Sequence, residues 1–323
     1  MPPRAPLSET ARISILCALA ASFSFSINDI TVRSFASTLP LHEVVLFRSL
    51  IAFVLTALLL GRGQSLWQLL RTKRPGAQAL RGLFVIISNF TFFAGLAALP
   101  LAEASAIFFV APLVVTAFSA IFLREYVGPR RWLALCVGMA GVLLIIKPGS
   151  IAFHWALILP ALSAVAYASM HIMTRHMGLS EPAVTMSLYV NLAFFLACGV
   201  MGLVFGDGSY AGSGHPSLEF VFRAWVMPTG HDVMLFFVAG FASGAGGYLI
   251  TQAYRRSEAG LVAPFEYSSL VLAAIWGFVF WGEVPGGLSS LGICLILASG
   301  IFVALREADQ KVPPGAKQVA GRR

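Results

Sequence analysis

AEASAIFFVAPLVVTAFSAIFLREYVGPRRWLALCVGMAGVLL, residues 102–144, returns in outline as SEAGLVAPFEYSSLVLAAIWGFVFWGEVPGGLSSLGICLILASGIFV, residues 257–303. Both stretches open on a small residue followed by Glu-Ala and carry a proline in the next apolar run. Both then reach an aromatic-rich end beside a glutamate (Glu125, Glu283) and finish in a glycine-bearing apolar run. A weaker match sets Ser26–Ala36 against Ala168–Gly178 and keeps Arg33 opposite Arg175. The chain therefore reads as one unit used twice, residues 1–150 and 151–306, followed by a disordered basic tail over 307–323.

Composition gives the solvent of those units. Of 323 residues, 58% are hydrophobic and 11% charged, against roughly half apolar and about a quarter charged in soluble domains. Windows of about nineteen residues predict an all-α membrane protein of ten spans: 12–33, 42–61, 77–98, 102–123, 130–147, 153–174, 183–206, 231–252, 259–281 and 286–305. The net charge of +8 is explained by topology and needs no nucleic acid as partner. Of 22 Lys and Arg, 18 fall at the termini or in alternate loops (Arg62 to Arg81; Arg124, Arg130 and Arg131; Arg175; Arg255 and Arg256). Only Arg33, Lys147 and Arg223 fall in the other loops, and Arg48 lies inside a span. The positive-inside rule then puts both termini in the cytoplasm, in a multi-pass protein of the inner (cytoplasmic) membrane. Ala18-Leu19-Ala20 could pass for a signal-peptidase site, but the apolar run continues to Val32 and the repeat needs it as a helix.

Five spans per unit is an odd number, so the two units enter the membrane with opposite orientation, Glu103 outside and its counterpart Glu258 inside. Inverted-topology repeats of this kind build alternating access around a midplane site in many secondary transporters. Cys17, Cys136, Cys198 and Cys294 lie in spans without CxxC or His spacing, so neither a metal nor a disulfide is expected. No phosphate-binding GxxxxGK[ST], no HExxH and no nucleophile elbow occurs. No cofactor and no enzymatic activity are expected. The competing class is an intramembrane lipid-modifying enzyme working through His171 and Glu266.

FLREYVGPRRWLALCVGMAGVLL (122–144) and FWGEVPGGLSSLGICLILASGIFV (280–303) resemble the two EamA-type repeats of the drug/metabolite transporter superfamily, over roughly residues 12–306. The chain departs from the family pattern at Arg124, where Gly is usual, and in the lengthened segment 206–230. The resemblance implies a ten-helix carrier of small organic molecules. Its cavity would be lined by the first four helices of each unit, with the fifth and tenth peripheral. Gly138, Gly141, Gly292 and Gly300 on those two fit close helix packing.

Charged groups inside spans are costly and mark function by default. Asp29 and Arg48 fall at comparable depth near the outer side and are expected to pair, with Arg33 within reach of Asp29. On the inner side Tyr167, His171 and Arg175 occupy successive turns of one face, and His171 matches Asp29 in the repeat. An inner cluster of His171, Arg175 and Glu266 is therefore expected to mirror the outer one. Asn28, Asn89 and Asn191 supply uncharged amides, and Tyr167, Tyr189, Tyr267 and Trp276 aromatic walls, a combination suited to an amphipathic or partly planar metabolite. The function expected is secondary active transport, by proton coupling or exchange. The cargo is either an amino acid-like metabolite or drug for export, or a vitamin or cofactor such as riboflavin or an adenosyl compound for uptake. The partners expected are membrane lipid, protons and the substrate, with the chain monomeric or homodimeric.

Overall fold

The computed structural model describes residues 9–61, 63–123, 129–146, 155–257, 262, 265–266, 268–284 and 286–310. Among them all regular structure is helical. The helices are α1 (Glu9–Ser34), α2 (Leu41–Leu60), the short α3 (Leu66–Leu69), α4 (Pro75–Ala98), α5 (Leu101–Phe108), α6 (Ala111–Phe122) and α7 (Pro129–Ile146). They continue with α8 (Ile158–Met177), α9 (Ala183–Phe205), the short α10 (Pro216–Phe222), α11 (Gly230–Arg256), α12 (Ser268–Trp281) and α13 (Gly287–Gln310). Seven segments, α5 and α6 counting as one, are long and apolar enough to cross a membrane, and three shorter apolar helices accompany them. Outward-facing side chains such as Leu58, Leu203 and Phe278 are 73%, 90% and 63% exposed. Lipid is the solvent that tolerates such a surface, and the chain is a multi-pass membrane protein.

The largest packing interfaces join α1 to α11, α4 to α8, α7 to α13 and α2 to α9, with α11 also against α2. Small residues set the distances. A Cβ on Gly141 would lie 2.7 Å from the Gly292 carbonyl, and one on Gly292 would lie 2.6 Å from the Gly141 carbonyl, so α7 and α13 touch backbone to backbone. A Cβ on Gly240 would lie 2.6 Å from the Ile51 side chain, and Gly244 lies against Ala52. Ser243 and Gly247 instead line a cavity, with open space beside Gly247.

Two spans read as continuous in the sequence are broken. Pro112 has no N–H and its ring crowds the carbonyl of Phe108, so the chain between α5 and α6 tightens, with Val110 N–H donating to Ile107 O at 3.2 Å. In the second unit α12 starts at Ser268, and Glu266 sits before it in a 3-10 turn rather than within a helix. Pro264, the counterpart of Pro112, lies outside the described residues, as do Arg124, Glu125, Lys147, Glu258, Tyr267 and 311–323. The 206–230 segment packs back on the turn between α1 and α2. Arg223 Nη1 donates to Ala36 O at 3.2 Å, Val226 N–H to Glu43 Oε2 at 3.2 Å, and the Trp225 ring lies against Gly202 and Gly206. Within it the N–H groups of Gly212 and Gly214 donate to Glu219 and hold its carboxyl below the usual carboxylate range.

Candidate functional site

A cavity of about 160 Å³ lies among α1, α2, α4, α5, α8, α9, α11 and α12 and is lined by residues of both sequence units. Of the candidates read from the sequence, Asn28, Asp29, Arg48, Asn89, Tyr167, His171, Asn191, Glu266 and Trp276 line it. Tyr189 does not, because its hydroxyl donates to Leu70 O at 2.9 Å and is spent on the segment after α3. Arg175, one turn beyond His171 at the end of α8, is half-buried and outside the lining. Tyr267 lies outside the described residues.

At one end the expected Asp29–Arg48 ion pair is replaced by a relay. Arg48 Nη1 donates to Asn28 Oδ1 at 2.9 Å, and Asn28 Nδ2 donates to Asp29 Oδ1 at 3.0 Å. Arg48 Nη2 donates to Asn89 Oδ1 at 3.1 Å, joining α2 to α1 and α4. Asparagine serves here because one amide can accept from the guanidinium and donate to the carboxylate at once. Arg33, expected near Asp29, instead pairs with Glu283 from the other unit. The carboxylate of Glu283 also accepts Leu101 N–H at 2.8 Å, and the Arg33 guanidinium lies 4.3 Å over the Trp281 ring. Gly282, at φ +64°, turns the chain so that Glu283 N–H returns to Gly277 O at 3.1 Å and the carboxylate faces Arg33.

At the other end Glu266 accepts hydrogen bonds from the hydroxyls of Tyr167, at 2.6 Å, and Tyr254. The His171 ring packs against both tyrosines, with centroids 4.2 Å from each, and its two ring nitrogens have no hydrogen-bond partner among the described residues. His171 and Glu266 thus come together, but through tyrosines and without Arg175. Thr174, three residues on from His171 in α8, is bound by Arg81, which the charge count assigns to a cytoplasmic loop. Arg81 is buried in α4, donating from Nε to Thr174 Oγ1 and from Nη1 to Gln78 Oε1, each at 2.9 Å. Aromatic rings wall the space between the ends, Phe108 packing against Phe92 and Tyr167 at 5.1 Å, and Trp276 Nε1 donates to Ser26 Oγ at 3.2 Å. Among the described residues no cluster of three His, Cys, Asp or Glu could hold a metal.

The EamA-like transporter family model matches this chain twice, over residues 12–147 and 154–305. The chain belongs to that family. Similar proteins include the riboflavin transporter of Rhizobium johnstonii, 29% identical over 76% of this chain and 75% of that one. The pseudopaline exporter CntI of Pseudomonas aeruginosa is 30% identical over 90% of this chain and 95% of its own. The S-adenosylmethionine uptake transporter of Rickettsia felis is 25% identical over 88% and 90%. A solved crystal structure with a TM-score of 0.66 and 20% identity covers 92% of this chain and 97% of that chain, sharing the fold. An EamA-like protein of the drug/metabolite transporter superfamily is a membrane transporter of small molecules.

Proposed function

We propose that the protein is a secondary active transporter that carries an amphipathic metabolite across the cytoplasmic membrane by alternating access between two inverted five-helix units. The observation that carries this reading is the cavity, to which both family-matching segments contribute polar groups. The packing supports it. Counting α5 and α6 as the fourth span and omitting the short α3 and α10, the first span packs on the eighth and the third on the sixth, the second on the seventh and the fifth on the tenth. Exchanging the units leaves that pattern unchanged, as a two-fold axis in the membrane plane requires. Both termini are then cytoplasmic and the 206–230 segment external. Relatives named as transporters of riboflavin and S-adenosylmethionine and as an exporter support small-molecule cargo in either direction.

The test is counterflow in proteoliposomes. Vesicles preloaded with unlabelled riboflavin, S-adenosylmethionine or an aromatic amino acid are expected to take up the same labelled compound transiently in at least one case, faster than protein-free vesicles. Uptake equal to protein-free vesicles across that panel, from protein shown to be folded, would remove the reading.

A further inference from the structure

The two buried arginines of the cavity are held differently. Arg81 spends its Nε on Thr174 Oγ1 and an Nη on Gln78 Oε1. Arg48, 1% exposed, is held by its two Nη groups on the amide oxygens of Asn28 and Asn89, and its Nε has no partner among the described residues. No carboxylate lies within ion-pair distance of Arg48 among the described residues, since Asp29 reaches it only through the Asn28 amide. The guanidinium carbon lies 5.7 and 5.4 Å from the Phe93 and Phe194 rings, which exclude water around the charge. Both rings and Arg48 face the cavity.

A buried guanidinium with an unused donor is costly. Side-on, Nε–H and the neighbouring Nη–H form a fork that matches the two oxygens of one carboxylate. Asn28 and Asn89 fix that fork through neutral oxygens, which orient the cation without cancelling it. We infer that Arg48 is a carboxylate-binding subsite, so that the cargo is a carboxylate-bearing amphipathic metabolite whose apolar body lies along the phenylalanine wall. This rests on the transport reading and narrows its substrate class. A neutral carbonyl can accept from the Nε–H but leaves the guanidinium charge uncompensated.

Purified protein is tested by thermal unfolding with two acid and amide pairs, L-phenylalanine with L-phenylalaninamide and indole-3-acetate with indole-3-acetamide, alongside riboflavin. The acids are expected to stabilise with apparent affinity about 10- to 100-fold above their amides, the range for a hydrogen bond to a charged group. Arg48→Gln is expected to erase the acid preference. Arg48→Lys, which keeps the charge but loses the fork, is expected to weaken the acids about tenfold and leave the amides unchanged, so it carries the test if the Gln variant does not fold. Equal affinity for acid and amide, no stabilisation by either acid, or an acid preference surviving Arg48→Gln would overturn the subsite. Counterflow separates the two levels. Acid preference without counterflow keeps the subsite and removes the transporter, whereas counterflow with no acid preference does the reverse.

Discussion

Glu266→Gln is expected to bring uphill accumulation of substrate down to simple equilibration, while exchange between equal pools of substrate continues. The carboxylate is 6% exposed and is held by two tyrosine hydroxyls, with no cation in ion-pair distance among the described residues. A buried carboxylate supported only by neutral donors can take up and release a proton without breaking an ion pair. Gln keeps the volume and still offers an oxygen to Tyr167 or Tyr254, but its amide does not titrate. If Glu266 carries the coupling proton, exchange, which needs binding and reorientation only, survives, whereas accumulation, which would then need net proton movement, fails. The check is paired measurement in proteoliposomes, with and without an imposed proton gradient. Equal loss of both activities would make Glu266 a structural support of the cavity wall. Wild-type accumulation would end the coupling assignment.

Breaking the Arg33–Glu283 pair has the second large effect. It ties α1 to the end of α12 and, through Leu101 N–H, to the start of α5, so it closes two units together at the proposed outer face. The side chains retain 11% and 20% exposure, so removing one partner costs about 1–3 kcal/mol, below the ~3–5 kcal/mol of a fully buried pair. If that interaction exists only when the outer side is closed, Arg33→Gln or Glu283→Gln shifts the access equilibrium towards outward-open by about 5- to 150-fold. Exchange slows accordingly. The double exchange Arg33→Glu with Glu283→Arg is expected to restore part of it. Restoration is partial because an arginine at 283 cannot accept from Leu101 N–H. Additive losses in the double variant, measured as exchange rate, would show that the pair does not act as a unit.

The sequence revealed the charged and amide side chains of the cavity wall, Arg81 excepted, for one physical reason. Polar side chains within lipid-spanning segments turn inward, so Asn28, Asp29, Arg48, Asn89, His171, Asn191 and Glu266 could be found from their positions in apolar runs. Arg81 was missed because it lies near a helix start, and counting cations by loop cannot tell a headgroup arginine from a buried one. Tyr254 was missed because it precedes Arg255-Arg256 and reads as an interfacial anchor. Pairings across the chain were also hidden. Arg33 and Glu283 are 250 residues apart, and the depth argument that set Arg33 near Asp29 had no access to the turn Gly282 makes. The Asn28 relay was invisible for a smaller reason: depth from helical rise fixes which turn a residue occupies, not which side chain lies between two others.

The central claim, that the cavity opens in turn to each side of the membrane, is tested most directly by a single cysteine at Ser243, which lines the cavity on α11. Cys17, Cys136, Cys198 and Cys294 are first replaced by serine, and vesicles of each orientation are treated with a membrane-impermeant thiol reagent. Labelling is expected from both faces, reduced from both by a transported compound, with Arg33→Gln increasing the rate from the outside and lowering it from the inside. Labelling from one face only, or rates from both faces that rise together in Arg33→Gln, would contradict alternating access.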